Sequence, residues 1–257
     1  MRKQPVLFVG HGSPMNAIED NRWSRGFQAL GQSLAKPRAV LAISAHWYLP
    51  ASAVTAQQQP RTIHDFGGFP PPLFDVQYPA PGDPALADDV VALTQGQVLA
   101  THDWGLDHGS WSVLRHVFPD ADVPVVQLSM DTRLTPHEHV ELGLRLAPLR
   151  ERDVLIVASG NIVHNLSHAF RAWRAGDRTT PAWATAFDTD VAQALEHGDR
   201  AFLENALSSE TGRAAHPTPE HYLPLLYAFG AGGDDAVAFP IEGFDMASLS
   251  MRCVRFG

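Results

Sequence analysis

Three short apolar runs in this chain each deliver a histidine near their carboxyl end. Val6-Leu-Phe-Val-Gly10 runs into His11-Gly-Ser-Pro, Val40-Leu-Ala-Ile-Ser-Ala45 into His46, and Val154-Leu-Ile-Val-Ala-Ser159 into Gly160-Asn-Ile-Val-His164. Runs that are apolar without alternation are the pattern of parallel strands covered on both faces. Parallel strands end at one edge, and ligands in open α/β sheets bind outside that edge. The recurrence therefore points to an α/β fold in which histidines far apart in sequence meet. Gly10 and Gly12 flank His11, where glycine lets the backbone bend and clears space round the ring. For any one of these histidines the alternative is a buried ring satisfied by backbone, because buried polar groups are hydrogen-bonded as a rule.

The remaining pattern alternates strand and helix. Strands are expected at 5–9, 38–45, 123–129 and 153–159, with closing strands at 236–239 and 248–256. Asn21 to Leu34 spaces Trp23, Phe27, Leu30 and Leu34 by threes and fours, the signature of an amphipathic helix. Further helices are expected over Pro84–Gln95, Ser112–Val117, Pro136–Leu149 (Thr135 as N-cap), Ile162–Ala175, Ala182–Glu196 and Arg200–Leu207. With 257 residues the chain can bury a sizeable core. The expected architecture is one domain, residues 1–257, with a mostly parallel central sheet flanked by helices on both faces. Pro50 to Pro84 is too rich in proline for a regular helix. Ile63, Phe66, Phe69, Leu73, Phe74 and Tyr78 make it too apolar for a disordered linker. It reads as an ordered loop packed over the sheet, and long ordered loops are often functional.

Several function classes drop out. A net charge of -9 without a basic stripe argues against nucleic acid. No apolar run approaches the roughly 20 residues that span a bilayer, and the N-terminal apolar run is too short for a secretion signal. A cytoplasmic protein with no membrane partner is expected. The single cysteine, Cys253, forms no internal disulfide and reads as packing in a closing strand. No phosphate-cradling glycine loop is present, and Gly10-His-Gly-Ser13 is not a nucleophile elbow.

Placement among the 13 histidines carries the argument instead. His11 and His46 form the leading pair and His164 a third, and neutral imidazole is the commonest ligand for zinc, iron, copper and nickel. His221, in Pro217-Thr-Pro-Glu220-His221-Tyr222, is either a site residue fixed by two prolines or a surface residue at a helix start. His108, between Asp107 and Gly109, is either an acid–base group or a turn residue. His64 precedes Asp65, a residue type that orients imidazoles. His102, His116, His137, His139, His168, His197 and His216 are expected at the surface.

A set of longer motifs adds to this: His11-Gly-Ser-Pro-Met, Ser44-Ala-His-Trp, Thr62-Ile-His-Asp-Phe-Gly-Gly, Trp104-Gly-Leu-Asp-His-Gly-Ser-Trp, Ala158-Ser-Gly-Asn-Ile-Val-His-Asn-Leu and Pro217-Thr-Pro-Glu-His-Tyr. Together they resemble the bacterial branch of the DOPA 4,5-dioxygenase family, within the class III extradiol ring-cleaving dioxygenases. The resemblance runs from about Val6 to Ser250. It implies an enzyme that opens a catechol beside its two hydroxyls with dioxygen, at one divalent non-haem metal ion per chain, Zn2+ as purified or Fe2+ as active. It makes His11, His46 and His221 metal ligands, His164 a ligand or an acid–base catalyst, and His108 a group near the substrate. Class III sites typically add a glutamate, for which Glu220 and Glu242 are the nearest candidates. The competing readings are a zinc hydrolase on the same scaffold and a non-catalytic metal-binding relative.

Overall fold

The structure is a computed structural model that describes residues 3–257. In chain order its strands are β1 (Val6–Gly10), β2 (Ala39–Leu49), β3 (Ala53–Thr55), β4 (Leu99–Thr101), β5 (Val125–Asp131), β6 (Val154–Gly160), β7 (Val237–Ile241), β8 (Phe244–Asp245), β9 (Leu249–Ser250) and β10 (Cys253–Phe256). Its helices are α1 (Arg22–Gln32), α2 (Pro71–Phe74), α3 (Pro84–Leu93), α4 (His108–Val117), α5 (Pro136–Leu146), α6 (Leu166–Ala175), α7 (Ala182–His197), α8 (Arg200–Asn205), α9 (Glu210–Ala215) and α10 (Leu223–Gly232). No helix among the described residues is long and apolar enough to cross a membrane.

Eight strands form one sheet in the order β4-β3-β5-β2-β6-β1-β10-β7, and β8 and β9 make a separate hairpin. The centre, β5-β2-β6-β1, is parallel throughout, and β10, β7 and the β3–β5 contact add antiparallel edges. Side chains alternate across this sheet as pleating requires. Val6, Phe8, Leu41, Ile43 and Ile156 face one core with α5, α7 and α10. Leu7, Val9, Val40, Ala42 and Leu155 face the other with α1, α4 and the proline loop. Each fully buried Val, Leu, Ile or Phe among them contributes ~1.5–3 kcal/mol. The expected central strands and the helices on both faces are present.

Five local differences from the sequence reading have physical reasons. The proline segment holds β3, which adds a short edge beside β5, and the helical turn α2, where Pro71 and Pro72 fill first-turn positions that have no N–H partner anyway. The strand β4, unexpected from sequence, is only three residues long and pairs with β3. Helix α4 starts at His108 because the Asp107 side chain caps it by accepting from Ser110 N. Helix α6 starts at Leu166, capped by Asn165, because His164 is held in an antiparallel bridge to Leu249. Finally, β2 runs past His46 to Leu49, and its register on β5 breaks between Ile43 and Tyr48. Such irregularities re-aim side chains next to sites, and His46 lies inside this one.

The surface assignment fails for two histidines. His139 is fully buried between α5 and α10, with Nδ1 3.0 Å from Tyr227 Oη, and His216 is buried with Nε2 2.7 Å from Ile162 O. Gly143 explains the first: a Cβ there would press into the Tyr227 backbone, so its absence lets the two helices approach. His116 and His168 are half-buried, whereas His102, His137 and His197 are exposed. Burial lowers His139 to about 4, against ~6.5 for an exposed imidazole. The unfolded chain therefore takes up a proton near pH 6.5 and the folded one only near 4. Stability is full above ~6.5 and falls by about 3 kcal/mol on the way down to pH 4. Urea midpoints at pH 7 and 4.5 should lie closer together in His139→Leu than in the parent chain. An unchanged gap would assign the acid sensitivity elsewhere.

Candidate metal centre

The carboxyl ends of β1, β2 and β6 meet, as parallel pairing demands, and their loops bring the key imidazoles together. Ser159, the penultimate residue of β6, donates its hydroxyl to the Gly109 carbonyl. Its lone pair thus accepts from His11 Nδ1, 2.9 Å away, which leaves the proton on Nδ1 and a lone pair on Nε2. His46 Nδ1 lies 3.3 Å from Asp65 Oδ2, and His221 Nδ1 lies 3.2 Å from Glu220 Oε1. A carboxylate only accepts, so both rings also keep their Nε2 lone pairs. His11 Nε2 and His46 Nε2 stand 3.2 Å apart, and one ligand atom each from His11, His46 and His221 lie within 4.8 Å of one another.

This donor set fits a divalent cation. Two imidazole nitrogens bound at ~2.0–2.1 Å with a tetrahedral angle are about 3.3 Å apart. Two unprotonated nitrogens facing each other at such a distance repel unless a cation sits between them. Burial, and then the neighbouring imidazoles, hold His11 and His221 well below the ordinary histidine range. His46 is lowered too, by burial and then His108, with Asp65 opposing. All three are therefore neutral at physiological pH, the state a metal requires.

The other candidate residues occupy distinct positions. His164 stacks on His221, with ring centroids 3.4 Å apart and planes 7° apart. Burial, followed by the nearby His216 and His108, lowers it to about 3. It shares a donor group with Glu220 and His221 rather than with His11 and His46. Asp65 grips His108 twice: Oδ1 accepts the backbone N–H at 2.9 Å, and Oδ2 accepts from Nδ1 at 2.8 Å. Burial would raise Asp65, but these bonds and then the proximity of the His108 and His46 rings win and hold it below the usual carboxylate range. His64 does not join the cluster and bonds the Val76 carbonyl within the proline loop. Of the two candidate glutamates, Glu220 supports His221 from behind, and Glu242 pairs with Arg252.

The imidazoles line a cavity of about 510 Å³. Its other walls are Phe66 and Phe69 from the proline loop, Phe170 and Trp173 from α6, and Met246 and Leu249 from the β8–β9 hairpin. Among the described residues Asp65 is its one carboxylate, and no lysine or arginine lines it. Sequence reasoning missed the α6 wall, whose signal is Leu166, Phe170 and Trp173 at spacings of four and three. It also missed Ser159 and the buried Asp107–Gln127 pair under His108. Burial, reinforced by Asp65, raises Asp107 to about 6.

The family described as the catalytic LigB subunit of aromatic ring-opening dioxygenase matches residues 5–257. A relative from Escherichia coli K12, named 4,5-DOPA dioxygenase extradiol, is 48% identical over 262 residues, covering 99% of this chain and 95% of that one. A namesake from Beta vulgaris is 38% identical, covering 98% of this chain and 96% of its own. The crystal structure of an uncharacterized protein from E. coli K12 superposes with a TM-score of 0.86 at 44% identity, covering 99% of this chain and 100% of that one. The chain therefore belongs to the LigB family of aromatic ring-opening dioxygenases, the class III extradiol group that its motifs resemble.

Proposed function

We propose that this enzyme opens the ring of a DOPA-like catechol beside its hydroxyls with dioxygen, at one divalent metal ion held by His11, His46 and His221. The observation that carries this reading is the convergence of three neutral imidazoles at the floor of an aromatic-walled cavity, with the Nδ1 protons of His11 and His221 already hydrogen-bonded and that of His46 facing Asp65 at 3.3 Å. Such an ion would hold catechol and dioxygen together, and ferrous iron would also exchange electrons with them. An all-imidazole set binds zinc as well, so Zn2+ on isolation and Fe2+ in turnover are the expected states.

The chain's own residues supply the rest. His108 keeps its Nδ1 proton on Asp65, which leaves Nε2 to take up a catechol proton. The carboxylate then stabilises the resulting cation and holds the ring in place. His164, neutral and without a side-chain hydrogen bond among the described residues, has a lone pair for a second proton transfer. Its stacking on His221 fixes its angle. Phe66 meets the His108 ring edge-on at 5.4 Å and Phe69 at 5.4 Å, forming an aromatic lid from the proline loop. This lid covers the substrate ring and excludes water. Phe66→Ala and Phe69→Ala are expected to raise KM about tenfold, from the loss of one aromatic contact and its buried area. Unchanged KM in both would remove the lid from the mechanism.

Oxygen uptake after anaerobic Fe2+ loading tests the whole reading. One dioxygen should be consumed per catechol opened. Uptake at background level with every catechol tried, beside hydrolysis of an ester or amide, would favour a zinc hydrolase. Intact metal binding with no turnover would favour a binding relative.

A further inference from the structure

Beside the catalytic cavity lies a second one of about 710 Å³. Ser13, Trp173 and Met246 line both, so the two adjoin across these side chains. Their chemistry differs. The catalytic cavity is aromatic and has no cationic side chain, whereas the second is lined by Glu19, Arg22, Asp177, Arg178 and Asp245. Arg22 is engaged already, bonded to the Glu242 carbonyl at 3.0 Å and stacked over Trp23. Arg178 and Asp245 have no ion-pair partner among the described residues. The Asp245 carboxylate is half-buried and accepts only the neighbouring Met246 N–H. Met246 and Ala247, at the tip of the hairpin, both adopt positive φ, 44° and 66°.

A carboxylate on a catechol ring has no cationic partner among the described residues of the catalytic cavity, whose Asp65 is itself an anion, and burying it there would be costly. We propose that the adjoining cavity is the substrate's tail subsite. It takes a ring substituent that bears both an ammonium and a carboxylate, with the ammonium against Asp245 and Glu19 and the carboxylate against Arg178. This assignment rests on the ring-cleavage reading above. It also ties recognition to chemistry. The hairpin that carries Asp245 and Met246 bonds back to the catalytic segment, through Ser250 N to Val163 O at 3.0 Å and the bridge between Leu249 and His164.

Four catechols separate the charges: 3,4-dihydroxyphenylalanine, dopamine, 3,4-dihydroxyphenylpropionate and 4-methylcatechol. Calorimetric binding without dioxygen, and KM with it, should give one pattern. Arg178→Gln weakens the two carboxylate-bearing compounds about tenfold, the worth of one charged hydrogen bond, and leaves the other two within twofold. Asp245→Asn weakens the two ammonium-bearing compounds by the same factor and spares the rest. Equal weakening of all four, or of none, overturns the subsite. If the parent chain cleaves 4-methylcatechol and binds all four alike, the subsite falls and ring cleavage stands. If it cleaves none, both readings fall.

Discussion

His11→Ala is expected to lose its metal ion and, with it, all ring cleavage. Zinc sites built from four protein donors bind with ~10–16 kcal/mol, so one donor is worth about 2.5–4 kcal/mol, or ~10²–10³ in affinity. Nothing nearby replaces the ring. Asp65 anchors both the backbone and the ring of His108, and His164 is stacked on His221, so neither swings into the vacated position. Ser159→Ala makes a graded companion, because the hydroxyl only holds the His11 proton, and loss of such a supporting bond costs 10–100-fold in metal affinity. The measurement need not rely on turnover. A ligand that binds only the folded state raises the melting temperature as its concentration exceeds Kd. Added zinc should stabilise the parent chain, stabilise Ser159→Ala only at higher concentration, and leave His11→Ala unmoved. His137→Ala, an exposed ring beside Glu204, is the control that should follow the parent. A His11→Ala protein that binds the metal as tightly as the parent would place the ion elsewhere.

Why His11 and His46 were legible from sequence, and other parts of the site were not, follows from period and distance. An apolar run four to six residues long announces a buried parallel strand by itself, and the residue that follows lies at the ligand edge. That logic needs no knowledge of neighbours. His221 is different: it precedes α10, where pattern alone leaves surface and site equally open, and only the fold puts it beside Gly160. His139 and His216 were misjudged because a histidine on a helix or loop has no period of its own. Their burial depends on which backbones approach, here Gly143 against Tyr227 and Ile162 against His216. Ser159 and Gln127 were invisible for the same reason, since hydroxyls and amides are common in strands and matter here only through Gly109, His11 and Asp107. The aromatic lid was visible as composition, but the α6 wall was not. Leu166, Phe170 and Trp173 lie beside the helix face that buries Ala169 and Ala172, so their spacing merges with the buried stripe and does not read as the wall of a site.

Gly160→Ala should disable the centre without touching a single imidazole. Gly160 ends β6 between the segments that carry His11 and His221. Its carbonyl accepts the His11 N–H at 3.0 Å, it pairs with Gly10 in the β1 ladder, and the next residue, Asn161, donates its N–H to the His221 carbonyl at 2.9 Å. A Cβ at this position would enter the His221 carbonyl oxygen and press on the Pro224 ring. Neither neighbour is a flexible side-chain end that can swing aside. The strand cannot yield either, because β6 is buried along its whole length and paired with β1 and β2. The methyl group must therefore push His221 outward or tilt His11. Overpacking of this kind costs about 1–3 kcal/mol of stability. A shift of an ångström in one ligand should weaken the metal by a further ~10–100-fold, as when a ligand loses its supporting bond. Urea midpoints and zinc titration measure the two effects separately. Gly67→Ala is the matched control, since a Cβ there meets nothing within 4 Å. If Gly160→Ala holds zinc like Gly67→Ala while losing stability, the methyl has been absorbed by β6 itself. The spacing of His221 from His11 would then not depend on this glycine.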